Sequence, residues 1–251
     1  VGGTASDPAD YTITAGPLTL APGELTATIT ITVNDDFLNE PDETVVLTLG
    51  DPTNAVKGAP AVHTATIRND EAPGVAVTES GGTTAVAEGG ATDSYTLVLL
   101  SQPTANVVIT ATPDAQTDLG AGPGVAVQRT FVPASWNVPQ TVTVTAVDDA
   151  LAEGPHTSTI VHTVASADGD YDGAAAGAVV ASVTDNDVAW VSFTAAAQSA
   201  FESAGPMTVT VQLSTPSAHV VTVPFSVGGT ASDPADYTIT AGPLTLAPGE
   251  L

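Results

Sequence analysis

The chain is a succession of short alternating runs. From Thr26 to Val33, threonine takes every even position, and Ile29, Ile31 and Val33 share the odd face. A period of two in β-branched residues predicts a half-buried strand, threonines outward and aliphatics inward. The same pattern runs through Thr141–Val147 and through Thr208–Leu213. Further strands are predicted around Val45, Leu47 and Leu49, around Tyr95, Leu97 and Leu99, and around Ile160, His162 and Val164. Glycine and proline clusters such as Ala21-Pro22-Gly23, Ala72-Pro73-Gly74, Gly81-Gly82 and Gly89-Gly90 separate them as turns. No stretch has a helical period. The alanine run 174–178 is interrupted by Gly177 and preceded by Gly173, which disfavour a helix. Many short strands with Gly/Pro turns predict an all-β chain of antiparallel β-sandwiches.

Self-similarity then divides the chain. Residues 1–25 and 227–251 are identical, a period of 226 residues. A weaker repeat has half that spacing: Thr28–Asp36 aligns with Thr141–Asp149, and Glu40 with Glu153, 113 positions apart. Asn69-Asp70 and Asn186-Asp187 align as the ends of the two units. The expected organisation is the back part of one domain at 1–71, a complete but divergent domain at 72–187, and the front part of a domain of the first type at 188–251.

Charge narrows the partners. There are 28 Asp and Glu against 3 Lys and Arg, a net charge of −25. Such a surface lacks the cations needed to neutralise phosphates, so no nucleic-acid partner is expected. Divalent cations are favoured instead. Hydrophobic residues make up 43% of the chain, enough to offset the entropy of ordering it. Without cysteine, neither a disulfide nor a thiolate metal site is available. No apolar run approaches the roughly 18 residues of a membrane span.

Several motifs recur in register. They are Gly3-Thr4-Ala5, Asp10-Tyr11, Gly16–Leu20, Pro22-Gly23-Glu24, and Asp35-Asp36-Phe37-Leu38-Asn39-Glu40-Pro41-Asp42-Glu43, closed by the tail Ile67–Glu71. In order and spacing this set resembles the Calx-β family, and Val191–Phe193 through Glu202-Ser203-Ala204-Gly205 resembles the front of such a domain. The middle unit is a more distant relative. It keeps Glu88-Gly89-Gly90, Asp148-Asp149, Glu153 and Asp185-Asn186-Asp187, but lacks the Asp-Tyr motif and has Gly154-Pro155-His156 in place of Pro41-Asp42-Glu43. The resemblance implies tandem immunoglobulin-like antiparallel sandwiches, several relatives of which bind calcium.

Calcium takes roughly six to eight oxygen ligands, which requires carboxylates converging from separate loops. Asp35 and Asp36 follow a predicted strand, in a loop that also holds Glu40, Asp42 and Glu43; Asp10 opens another loop and Asp70 sits at the exit. Carried over from the family, the Ca2+ ligands are Asp10, Asp35, Asp36, Glu40 and Asp70, with Glu43 as a further member. In the last segment they are Glu202 and Asp236, and in the middle unit Glu88, Asp148, Asp149, Glu153 and Asp187. Asp114 and Asp118 stand as substitutes for the missing Asp-Tyr. The competing reading is solvated loop carboxylates that keep a repeat array soluble.

No catalytic constellation is present. The four histidines are not spaced as HExxH and there is no GxSxG, so the chain is not expected to be an enzyme. The expectation is a calcium-binding structural spacer of an extracellular or cell-surface, adhesin-like protein, whose partners are calcium ions and neighbouring repeats of the same chain. Two rival readings remain. One is an adhesion module that touches a host or matrix protein or a carbohydrate. The other is the non-catalytic repeat region of a secreted enzyme.

Overall fold

A computed structural model describes residues 1–251. The chain is all-β, with two single-turn 3-10 segments as its only helix. The first segment forms β1 (Gly2–Gly3), β2 (Tyr11–Ile13), β3 (Ile31–Val33), β4 (Glu43–Thr48) and β5 (Val62–Ile67). They make a three-stranded sheet, β1-β4-β5, and a separate pair, β2-β3.

The middle of the chain contributes β6 (Val75–Glu79), β7 (Thr84–Ala87), β8 (Asp93–Leu99), β9 (Val107–Pro113) and β10 (Thr117–Asp118). These are followed by β11 (Val127–Phe131), β12 (Gln140–Ala146), β13 (His156–Ser166) and β14 (Val179–Thr184). One sheet has the order β10-β12-β8-β6 and the other β11-β9-β13-β14-β7. Pairing is antiparallel except for β7 against β14, which is parallel, with Val86 opposite Val183. The last segment holds two hairpin-like pairs, β15 (Val191–Phe193) with β16 (Val211–Leu213) and β17 (Val221–Val223) with β18 (Leu244–Leu246).

Alternation explains the middle sandwich. Tyr95, Leu97 and Leu99 on β8 and Val142, Val144 and Ala146 on β12 point into one core. Val107, Ile109 and Ala111 on β9, Ile160 and Val164 on β13, and Val179, Ala181 and Val183 on β14 meet them from the other sheet. Each large side chain buried there contributes roughly 1.5–3 kcal/mol. The Tyr95 hydroxyl reaches the core edge and lies 2.9 Å from His162 Nε2, while His162 Nδ1 lies 2.6 Å from the Gly177 carbonyl. With Nδ1 donating to that carbonyl, Nε2 accepts from the tyrosine. Burial pushes the His162 pKa down, outweighing the opposing hydrogen bond to Gly177, in keeping with a neutral packed imidazole.

The outer segments differ. Of the buried hydrophobic side chains, the first segment supplies only Tyr11 and Val45 and the last only Leu213. The strand expected over 26–33 contracts to Ile31–Val33, and Val33 stays 55% exposed. In the middle unit the corresponding strand β12 is flanked by β8 and β10 and roofed by the second sheet. β3 has only β2 beside it, so alternation alone does not bury its aliphatic face. Likewise Leu49 is exposed although Val45, on the same face, is not. The alanine run 174–178 is irregular and not helical, and Ala174 and Ala176 pack against the core.

Candidate metal centres at the domain joints

The loop Asp35–Glu43 leaves β3 and turns back into β4. Asp36 Oδ1 accepts the Leu38 amide at 2.7 Å and holds the turn. Asn69, beyond β5, receives the Glu40 amide at 3.1 Å and donates its own amide to Asp42 Oδ1 at 3.2 Å. Asp10, before β2, is set by the turn it closes with Ser6. One cleft thereby gathers Asp10, Asp35, Asp36, Glu40, Glu43, Asp70 and Glu71, with Arg68 as the only basic residue lining it. Ligand atoms of Asp10, Glu40 and Glu43 lie within 4.8 Å of one another, as do those of Asp35, Asp70 and Glu71. None of these carboxylates forms an ion pair with Lys or Arg. Desolvation, then the charges of Asp36, Asp10 and Glu71, push the Glu40 pKa up. Desolvation, then a hydrogen bond with Asp10 and the charges of Asp10 and Glu40, do the same to Glu43. Such crowding of like charges without a counter-ion is unfavourable, and a cation relieves it.

The middle unit repeats this arrangement 113 positions on. Asp149 Oδ1 accepts the Leu151 amide at 2.7 Å, as Asp36 does for Leu38. Asp185 Oδ2 accepts the Glu153 and Gly154 amides at 2.8 and 2.6 Å, the place Asn69 occupies for Glu40. The tails therefore align as Asn69-Asp70-Glu71 with Asp185-Asn186-Asp187. This is one residue away from the alignment of Asn69-Asp70 with Asn186-Asp187 drawn from sequence, because the shared feature is the acceptor for the loop amides and not the Asn-Asp pair. Two overlapping clusters result: Glu88, Asp185 and Asp187, and Glu88, Glu153 and His156. Glu88 is only 3% exposed. Its Oε2, Asp187 Oδ2 and His156 Nε2 are buried with no hydrogen-bond partner. Burial first, then the charges of Asp185, Asp149 and Glu153, push the Glu88 pKa up against the lowering influence of His156. Burial and the charges of Asp185, Asp148 and Asp149 do the same to Asp187. Buried carboxylate oxygens left without donors are what a bound cation satisfies, so the residues of this site fit a divalent ion.

Not every expected ligand joins a cluster. Asp148 and Asp149 lie beside the middle site, Asp148 Oδ1 accepting Asn186 Nδ2 at 3.0 Å. Glu202, in a short 3-10 turn, and Asp236, bonded to the Ser232 amide at 2.7 Å, belong to no group of three ligating side chains. Asp114 and Asp118 do not replace the missing aspartate. Asp114 binds Ser158, Thr159 and Gln116, and Asp118 caps the amides of Gly120 and Gly122. Glu71, Asp185 and His156 were absent from the sequence-derived ligand set. For His156 the available signal was its position, 113 residues after Glu43.

Both acidic loops also carry a joint. The Gln102 amide donates to the Phe37 carbonyl at 2.7 Å, and Leu38 bridges Gln102 in parallel. Phe37 packs on Trp136 with ring centroids 5.7 Å apart, and Asn39 donates to Asp170 at 2.8 Å. One repeat later, Thr215 Oγ1 donates to the Ala150 carbonyl, the counterparts of Gln102 and Phe37. Ala152 bridges Ser217, exchanging main-chain bonds with Pro216 at 2.9 Å and Ala218 at 3.0 Å. His219 Nε2 lies 2.9 Å from the Glu153 carbonyl.

Strands stacked into a sandwich, with acidic loops at the joints between successive units, define a tandem array of immunoglobulin-like β-domains. The chain belongs to the Calx-beta domain family, whose model matches residues 1–71 and 184–251. No curated protein sequence matches the chain. Among solved structures it is similar to the apo-form Calx CBD1 domain, at 15% identity and a TM-score of 0.33, covering 45% of this chain and 98% of that one. It is also similar to the calcium binding domain CBD12 of CALX1.1, at 17% identity and a TM-score of 0.37, covering 64% of each chain. A third is CBD12 from CALX1.2, at 16% identity and a TM-score of 0.36, covering 72% of this chain and 83% of that one.

Proposed function

We propose that the chain is a calcium-stabilised, non-catalytic spacer within a secreted or surface-displayed protein, with residues 72–187 as its complete domain. The observation that carries this reading is the double use of one loop. Asp35–Glu43 supplies carboxylates to the cleft and main-chain contacts to the next unit, and Asp148–Glu153 does so again at the following joint. Family membership supports calcium as the ion.

In the first unit Asp10, Asp35, Asp36, Glu40, Glu43 and Asp70 hold the cation, assisted by Glu71. In the middle unit Glu88, Asp187 and Asp185 do so, with Asp148, Asp149 and Glu153 around them. The ion supplies charge neutralisation, and the chain positions the oxygens through the Asp36 and Asp149 turns. Neutralising the loop holds it in the conformation that the neighbouring unit docks on, so the ion stiffens the joint. Small-angle scattering of the full chain, with calcium and with chelator, tests this. Calcium is expected to lengthen the maximum dimension and raise the melting temperature. Unchanged values for both would overturn it.

A further inference from the structure

The middle site contains one feature that the first lacks. At the position of Glu43 it has His156, so a nitrogen donor replaces an oxygen in an otherwise parallel loop. We propose that Glu88, Glu153 and His156 form a site for a zinc-class divalent cation, which overlaps the oxygen-only cluster of Glu88, Asp185 and Asp187 at Glu88 and differs from it in selectivity. This goes beyond the calcium reading and stands whether or not calcium binds the first unit.

The three ligand atoms lie within 4.8 Å of one another. Glu88 and His156 each also carry a buried polar atom without a hydrogen-bond partner, Oε2 on a side chain almost wholly withdrawn from solvent and Nε2. His156 Nδ1 lies 2.9 Å from the Gly154 carbonyl. A carbonyl only accepts, so Nδ1 carries a proton, which in the neutral ring leaves Nε2 as the nitrogen available to a cation. Fixing the tautomer through the far nitrogen is how proteins prepare a ligating imidazole. Glu153 is oriented too, since Gln116 Nε2 donates to both its oxygens at 2.9 and 3.0 Å.

An ordinary ion pair does not account for this geometry. His156 Nε2 and Glu153 Oε2 are 3.7 Å apart, beyond the roughly 2.7–2.9 Å of a charge-assisted hydrogen bond. In tetrahedral geometry two donors that each sit about 2.0–2.2 Å from one zinc ion stand roughly 3.3–3.6 Å apart, close to this spacing. The chemistry of the donor set favours the same metal class. Calcium selects oxygen, whereas imidazole with carboxylates suits zinc and its neighbours. No Lys or Arg pairs with either carboxylate to compete with the ion.

The test uses the full chain, titrated separately with Zn2+ and Ca2+ by calorimetry, in wild type and in His156→Glu. One tight zinc equivalent is expected in wild type and about tenfold or more weaker binding in His156→Glu, with calcium uptake by the first unit unaltered. Nitrogen-15 NMR of the wild-type imidazoles gives a readout independent of any variant's folding. Zinc is expected to shift Nε2 of one histidine, the one assigned to His156, and calcium to leave it in place. Equal zinc affinity in the two proteins, or no zinc-induced shift at His156, would overturn the proposal. Loss of calcium binding alone would overturn the spacer reading and leave this one intact.

Discussion

The first and middle units build their acidic tips from the same loop, yet with different surroundings. In the first, seven carboxylates face an open cleft, and Glu40 is exposed. In the middle, a closed two-sheet core stands directly behind the tip, and Glu88, at the end of β7, is drawn into it. At the open tip the carboxylates stay exposed or half-buried, so solvent can reach them. The closed one leaves oxygens and a nitrogen with no partner at all. Dryness therefore follows from the sheets behind the loop and not from the loop's own sequence.

That contrast can be broken most forcefully at the core. Phe131→Ala in the middle unit is expected to cost about 3–5 kcal/mol by denaturant unfolding. Val33→Ala, on the exposed strand of the first segment, is expected to stay within about 0.5 kcal/mol. Comparable losses at the two positions would mean that β3 is packed as tightly as β11. Next in size is the ion. Calcium at about 100 times its dissociation constant is expected to stabilise by about 2.7 kcal/mol, read as a rise in melting temperature. Glu43→Gln together with Asp70→Asn is expected to shrink that rise, while improving stability in chelator because repulsion in the open cleft falls.

Asp168 sharpens the comparison from the other side, because it is a buried carboxylate whose oxygens are satisfied. It accepts the amides of Thr104 at 2.7 Å and Asp170 at 3.0 Å. Asp168→Asn is expected to cost about 1–3 kcal/mol at neutral pH in urea unfolding. The smallest effect is in acid. Burial raises the Asp168 pKa, but the hydrogen bonds from Thr104 and Asp170 outweigh it and hold it below 3.8. Hydrogen bonds from Ser80, Ala85 and Ser94 hold Asp93 below 3.8 as well. Both groups thus add stability that is complete above pH 3.8 and disappears as pH falls through their lower folded values. Asp93→Asn is expected to flatten that acid limb in a pH series of thermal melts; an unchanged slope would count against the assignment.

Sequence pattern revealed the middle sandwich well, since β8, β12 and β13 alternate and both of their sheets are present to reward it. It overstated the strand at 26–33, because alternation reports a face suited to burial and not the presence of something to bury it. Motif spacing pointed to most, but not all, of the carboxylates that the structure gathers. Glu88, Glu153 and Asp187 converge with residues that motif logic passed over: Asp185, which binds loop amides as well as flanking the site, and His156, which falls outside a pattern defined by oxygen. The bonding role of Asn69 shows why tail alignment slipped by one residue.

The joint has a consequence for the sequences on either side of it. At the first joint the Gln102 amide bonds the Phe37 carbonyl, and at the second the Ala152 and Ala218 amides bond the Pro216 and Ala152 carbonyls, with the Thr215 hydroxyl on the Ala150 carbonyl. Phe37 has become Ala150 and Asn39 has become Ala152 without loss of the connection. A joint held largely by backbone atoms places few demands on the side chains of the units it connects.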